Sequence, residues 1–213
     1  MLRFNQIVCL QIVYWASLIC CLTLVSADAS AQTRQGWKPR PDQNLIDDQP
    51  GYEPTRDDER LPAGLQKQLV FFRTTEPQGT IVVNTAERFL YLVQPNNHAI
   101  RYAIGVGRAG FQWAGLKRID RKAEWPDWTP PPEMLVRQPY LPRFMAGGPS
   151  NPMGARALYI AGTVYRIHGT NQPWTIGSAV SSGCFRLTNP DVIDLYERIP
   201  VGTRVVVLQP PKL

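Results

Sequence analysis

Val180-Ser181-Ser182-Gly183-Cys184-Phe185-Arg186-Leu187 holds the one cysteine beyond residue 31, and Cys184 stands sixteen residues after His168-Gly169. The chain has two histidines, so one of them lies upstream of a thiol that a glycine opens to substrate. A thiol is a strong nucleophile only as its thiolate. An imidazole at hydrogen-bond distance can take the proton, and N–H groups at a Gly-Cys turn can hold the oxyanion of an acyl-transfer intermediate. The stretch points to a cysteine acyl-transferase.

Plainer readings compete at each residue. Most cysteines outside disulfides are small buried hydrophobes, but Cys184 sits among two serines, a glycine and an arginine. A lone histidine is more often structural than catalytic. His168 gains weight from Gly169 and from the β-rich run that ends on it; His98 falls in an expected hairpin without such company. Two histidines and one cysteine, far apart, lack the spacing of zinc ligands, and no metal or organic cofactor is expected.

The N-terminus reads as an export signal. Phe4 to Ser26 is apolar and uncharged after Arg3, and Ala29-Ser30-Ala31 offers a small-x-small cleavage site. Residues 1–31 are therefore expected to be a signal peptide, with an uncleaved anchor as the alternative, and the rest is expected in the periplasm or cell envelope. Cys9, Cys20 and Cys21 would leave with the signal. A lone remaining thiol in an oxidising compartment has no internal disulfide partner and is flagged as reactive or intermolecular.

The remaining chain, about 180 residues, suffices for one domain with a core. Net charge is +6, with Lys and Arg scattered rather than striped, which argues against nucleic acid. Residues 32–78 carry Pro39, Pro41, Pro50, Pro54, Pro62 and Pro77 and the charged run Asp57-Asp58-Glu59-Arg60, and are expected to be a poorly ordered linker. Leu65, Leu69, Val70 and Phe72 could form a short patch that docks on the domain.

Residues 79–209 read as mainly β. Strands are expected at Thr80–Asn84, Glu87–Val93, Ala99–Val106, Ala157–Ile160, Thr163–Ile167 and Arg204–Leu208, with Pro95-Asn96-Asn97 as a hairpin turn. One helix is marked by Asn189 as N-cap, Pro190, and Asp191, followed by Val192, Leu195, Tyr196 and Ile199 on one face. Lys117 to Gly154, rich in Pro, Trp and Gly, shows no periodicity and reads as a long functional loop. Trp113, Trp125, Trp128 and Trp174 are candidates for groove walls, with packing the plainer expectation for each.

Tyr165-Arg166-Ile167-His168-Gly169-Thr170, then Ser181-Ser182-Gly183-Cys184-Phe185-Arg186-Leu187 and Asp191, resembles the signature of the YkuD-type L,D-transpeptidases, the ErfK/YbiS group. Trp125–Pro132, Gly147-Gly148-Pro149 and Asn151–Leu158 fit the same pattern, so the resemblance covers about residues 79–209. It implies a β-sandwich-like or barrel-like catalytic domain with short helices, acting on peptidoglycan stem peptides. Cys184 would be the nucleophile and His168 the base, oriented by the carbonyl of Gly169. Backbone N–H groups near Gly183 and Cys184 would form the oxyanion hole. Ser182 would stand in the pocket wall, Ser181 would be a pocket hydroxyl or a turn residue, and Arg186 would shape the pocket or bind a substrate carboxylate, a structural salt bridge being its alternative.

The resemblance also implies an amine acceptor on a second stem or an envelope protein, and carbapenem-type β-lactams as covalent inhibitors. Two departures stand out. Ser182 replaces the histidine of many members, and Phe111-Gln112-Trp113-Ala114-Gly115 stands where many carry Thr-Pro-x-Gly. Two rival functions share these residues: a hydrolase that gives the acyl group to water, and a non-catalytic peptidoglycan-binding protein.

Overall fold

Nine strands share one sheet in a computed structural model that describes residues 49–209. In chain order the strands are β1 (Gln68–Phe71), β2 (Ile81–Asn84), β3 (Phe89–Gln94), β4 (His98–Ala103), β5 (Val106–Gly107), β6 (Gly115–Glu124), β7 (Arg156–Ile160), β8 (Arg166–His168), β9 (Ala179–Ser181), β10 (Phe185–Arg186) and β11 (Arg204–Leu208). Helix α1 (Pro132–Arg137) lies between β6 and β7, and α2 (Asn189–Arg198) between β10 and β11. The sheet runs β1-β4-β3-β2-β11-β6-β7-β8-β10, with β5 and β9 as a separate parallel pair. The expected mainly β, sandwich-like architecture with short helices is the one observed.

The core explains the order. Ile81 and Val83 of β2, Leu90 and Leu92 of β3, and Val205 and Val207 of β11 alternate onto the face that meets α2, β7, β8 and β10. Val192 and Leu195 of α2 enter the same cluster, as do Leu158, Ile167 and Phe185. Near its start β6 contains a bulge: Ile119 pairs with Ile160 but Arg121 pairs with Tyr159, so Asp120 is extra. The bulge flips the alternation, burying Ile119 in the core while turning Arg121 to the opposite face.

From Lys117 onward this strand falls in the stretch expected to be an irregular loop. It was illegible because only Ile119 of its ten residues is buried and the bulge breaks period-two patterning. Helix α1 is a second correction to that loop, a six-residue element opened by Pro131 and Pro132 that is too short to show a period. The expected strand Ala99–Val106 divides at Ile104-Gly105, since β4 pairs with β3 while β5 leaves to pair with β9. Asn189 is the first helical residue of α2 rather than its cap; Thr188 is the N-cap, its hydroxyl accepting from Asp191 N at 3.4 Å. The Pro95-Asn96-Asn97 turn is present, with φ of 58° and 55° at the two asparagines.

Within the stretch expected as a linker, residues 49–78 are described and carry β1 and tertiary contacts; residues 1–48, including the signal-peptide stretch, lie outside the described residues. β1 adds to the sheet edge in register with β4, from Gln68 opposite Arg101 to Phe71 opposite His98. Phe72 stacks on Tyr91 at 4.4 Å. Upstream, Asn171 Nδ2 donates to the carbonyls of Gln49, Tyr52 and Ser150 at 2.8, 3.3 and 3.1 Å, and Tyr52 meets Trp174 edge-on. A Pro-rich segment with little apolar content builds no core of its own, but its backbone is held by a buried asparagine elsewhere.

Asp194 ties α2 to the sheet. Its carboxylate accepts from Tyr102 Oη at 2.6 Å and from Arg198 Nε and Nη2 at 2.9 Å each, and Lys67 Nζ lies at 3.0 Å. The Arg198 fork, then Tyr102 and Lys67, hold its carboxyl well below the usual carboxylate range. The folded state therefore gains stability above the ordinary aspartate range and loses it as pH falls below it. Asp194→Asn is expected to cost about 1–3 kcal/mol at neutral pH and progressively less as pH falls below the ordinary aspartate value of about 3.9 toward the depressed folded one, measured by denaturant unfolding along that descent.

Candidate active site

β8 and β10 run parallel, side by side, with Ile167 opposite Phe185 and His168 opposite Arg186. Ile167 and Phe185 face the core. Strand alternation then directs His168 and Arg186 to the other face, and Cys184, directly before β10, falls on that face too. Leu187 N donates to His168 O at 2.8 Å, locking the register. The sixteen-residue interval in sequence becomes a neighbouring-strand relation.

His168 is 2% exposed. Its Nδ1 lies 2.6 Å from the carbonyl oxygen of Gly169. A carbonyl can only accept, so Nδ1 carries the proton and Nε2 keeps its lone pair. Burial, with the positive charges of Arg186 and Arg166, pushes the imidazole down to about 3, against the pull of the Gly169 and Met153 backbone. At neutral pH it is an uncharged base.

The Cys184 turn is built by its neighbours. Ser181 Oγ donates to Cys184 O at 2.6 Å and accepts from Gly183 N at 3.2 Å. The Gly183 N–H is thus engaged inside the turn. Gly183 still has a requirement of its own. Its φ is +106°, and a Cβ there would come 2.4 Å from the Tyr165 ring. Ser182 is half-buried at the same turn. Trp113 Nε1 donates to Gly183 O at 3.1 Å, and its ring stacks on Tyr165 at 5.0 Å. The segment that departs from the Thr-Pro-x-Gly pattern therefore braces the cysteine turn.

Arg186 is 1% exposed, and its N–H and carbonyl both bond to Gly105, at 2.9 Å each. Its charge acts on His168 from the adjacent strand. His98 lies on β4, with Nδ1 2.7 Å from Asn96 O, far along the sheet from β8. Of the tryptophans, Trp128 is buried beside Met134 and Met153, Trp174 packs on Tyr52, and Trp125 borders an open cavity.

Asn189 is a supporting residue that sequence reading placed only as a helix cap. Its Oδ1 accepts from Ala155 N at 2.8 Å and its Nδ2 donates to Thr170 O at 3.1 Å. It joins the strand after Gly154 to the chain after Gly169. A Cβ on either glycine would lie within 2.4 Å of Asn189 Oδ1, so backbone and amide are in direct contact there. Asn151, fully buried, bonds Pro126, Met145, Ala146 and Met153 and so shapes the 125–154 excursion beside the site. No spacing rule in the sequence marks either asparagine.

A buried neutral base, a thiol on the same face and a tight turn around that thiol define the geometry of a cysteine acyl-transfer site. Residues 78–207 match the family described as the L,D-transpeptidase catalytic domain, YkuD. The chain belongs to that family. It is 44% identical over 140 residues to "Probable L,D-transpeptidase ErfK/SrfK" of Escherichia coli K12, covering 62% of this chain and 44% of the relative. It is 39% identical over 183 residues to "Probable L,D-transpeptidase YbiS" of the same organism, covering 79% and 56%. The chain thus spans about half the length of these relatives. Among solved structures, an L,D-transpeptidase from Mycobacterium smegmatis aligns with a TM-score of 0.49 at 15% identity, over 62% of this chain and 58% of that one.

The protonation of His168 has a thermodynamic consequence. An unfolded imidazole takes up its proton near pH 6.5 and the folded one only near 3, so falling pH favours the unfolded chain across that window. Stability measured by denaturant titration is expected to fall more between pH 7 and pH 4.5 in the wild type than in His168→Gln.

Proposed function

We propose that this protein is an exported L,D-transpeptidase that forms a thioacyl-enzyme on Cys184 with a peptidoglycan tetrapeptide stem. The carrying observation is the 2.6 Å bond from His168 Nδ1 to Gly169 O, which leaves Nε2 as the basic nitrogen on the face that Cys184 shares. Family membership supports the reaction type. Export is the reading that the apolar run Phe4–Ser26 and Ala29-Ser30-Ala31 support, with the periplasm or cell envelope as the proposed destination.

In the first half-reaction His168 Nε2 takes the Cys184 proton as sulfur attacks the carbonyl of the L-centre of the stem's diamino acid. The oxyanion that forms is held by the N–H of Cys184, because the Gly183 N–H bonds to Ser181. The intermediate collapses by breaking the C–N bond, and the imidazolium gives its proton to the departing D-alanine amine. In the second half an amine of another stem, or of an envelope protein, attacks the thioester. His168 accepts the amine proton and returns it to sulfur as the C–S bond breaks. No electron changes hands, and no metal or organic cofactor is called for.

Burial and the two arginines weaken His168 as a base, a cost that the oxyanion formed beside it offsets as sulfur attacks. They keep the imidazole neutral until then. Mass spectrometry of muropeptides after incubation with a disaccharide-tetrapeptide tests the proposal. Cross-linked dimers that disappear with Cys184→Ala, and fall at least about 100-fold with His168→Gln, are the expected result. Shortened stems without dimers would mean transfer to water instead, and no change in any sample would mean a binding protein.

A further inference from the structure

Three side chains stand in a row across the sheet on the face of His168. Arg121 of β6 is opposite Tyr159 of β7, and Tyr159 is opposite Arg166 of β8. The Arg121 guanidinium lies 3.5 Å from the centroid of the Tyr159 ring and that of Arg166 lies 5.5 Å from it. Two residues along the strands the next row is Ala123, Ala157, His168 and Arg186. The two alanines are small, and a cavity of about 430 Å³ lies on this face, bordered by Arg121, Tyr159, Arg166, Trp125 and Met153. Met153 connects it to the base, since its backbone acts electrostatically on the His168 imidazole.

The charge in this cavity is uneven. Glu124 is held by Arg156 at 3.2 Å, and Asp127 accepts from Gly147 N at 3.0 Å. Neither Arg121 nor Arg166 forms an ion pair among the described residues. A guanidinium stacked on an aromatic ring keeps its N–H edge outward, preorganised for a bidentate acceptor. Two such cations on one ring repel, and an anion placed between their edges relieves that repulsion.

We propose that this cavity is the subsite for a carboxylate of the peptide presented to Cys184, with Arg121 and Arg166 as its donors and Trp125 and Tyr159 as walls for the adjoining apolar chain. The proposal rests on the acyl-transfer reading above and adds to it a preference for acidic over amidated stem peptides. Arg166 is two residues from His168 on one strand, so an anion bound there lies beside the reacting groups.

Calorimetry on the full chain carrying Cys184→Ala tests this without turnover, using a tetrapeptide stem with free carboxylates and its carboxamide counterpart. Arg121→Gln and Arg166→Gln are each expected to raise Kd for the acidic peptide about 10- to 100-fold while changing the amidated one less than about twofold. Arg166→Lys, which keeps the charge but not the fork, should fall between. Equal losses for both peptides, or no loss for either, would overturn the subsite. If the muropeptide assay yields dimers while these variants fail to discriminate, the subsite alone falls; if the parent protein binds neither peptide, the acyl-transfer reading falls with it.

Discussion

The parallel pairing of β8 with β10 is the constraint on which the rest depends. Parallel neighbours need a long crossover, and here the intervening chain carries Thr170, Asn171, the Pro173–Thr175 turn and β9 before returning. With Ile167 and Phe185 fixed in the core, His168 and Arg186 have only the opposite face to occupy. The register also sets the electrostatics, because it brings the Arg186 charge beside a buried imidazole. A slip by one residue would turn both side chains inward and leave the chemistry without a face.

Part of that face is roofed. The excursion between β6 and β7 forms its own small core of Trp128, Met134, Leu141 and Met153 over Ala157. It ends against Asn189, whose amide also holds the chain after Gly169. A helix start, a loop core and the candidate base are therefore joined through one side chain. Tyr159 packs against this core, and the row Arg121–Tyr159–Arg166 borders the cavity beside it.

How much of this was legible in the sequence varies with the physics. Cys184, His168 and Gly169 stood out because a lone thiol, a rare imidazole and glycines have few structural uses together. Strands such as Arg204–Leu208 were legible because their residues are β-branched and apolar. β6 was not, since its bulge and polar face erase the pattern that marks strands. Residues 49–78 read as a linker because their partners, Asn171 and the β4 edge, lie far away in sequence, and local composition carries no trace of them. The engagement of Gly183 N by Ser181 was hidden for a different reason: a turn's sequence shows its donors but not which of them bond within the turn.

The central claim is that Cys184 is a nucleophile activated by a neutral His168. Intact-mass spectrometry of the protein during exposure to a carbapenem measures this directly, since opening the β-lactam ring acylates sulfur without a leaving group or an acceptor. The account predicts one adduct, located by peptide mapping on Cys184, whose formation slows by about two orders of magnitude or more in His168→Gln. An adduct that forms equally fast without the imidazole, or none at all in the folded wild type, would contradict it.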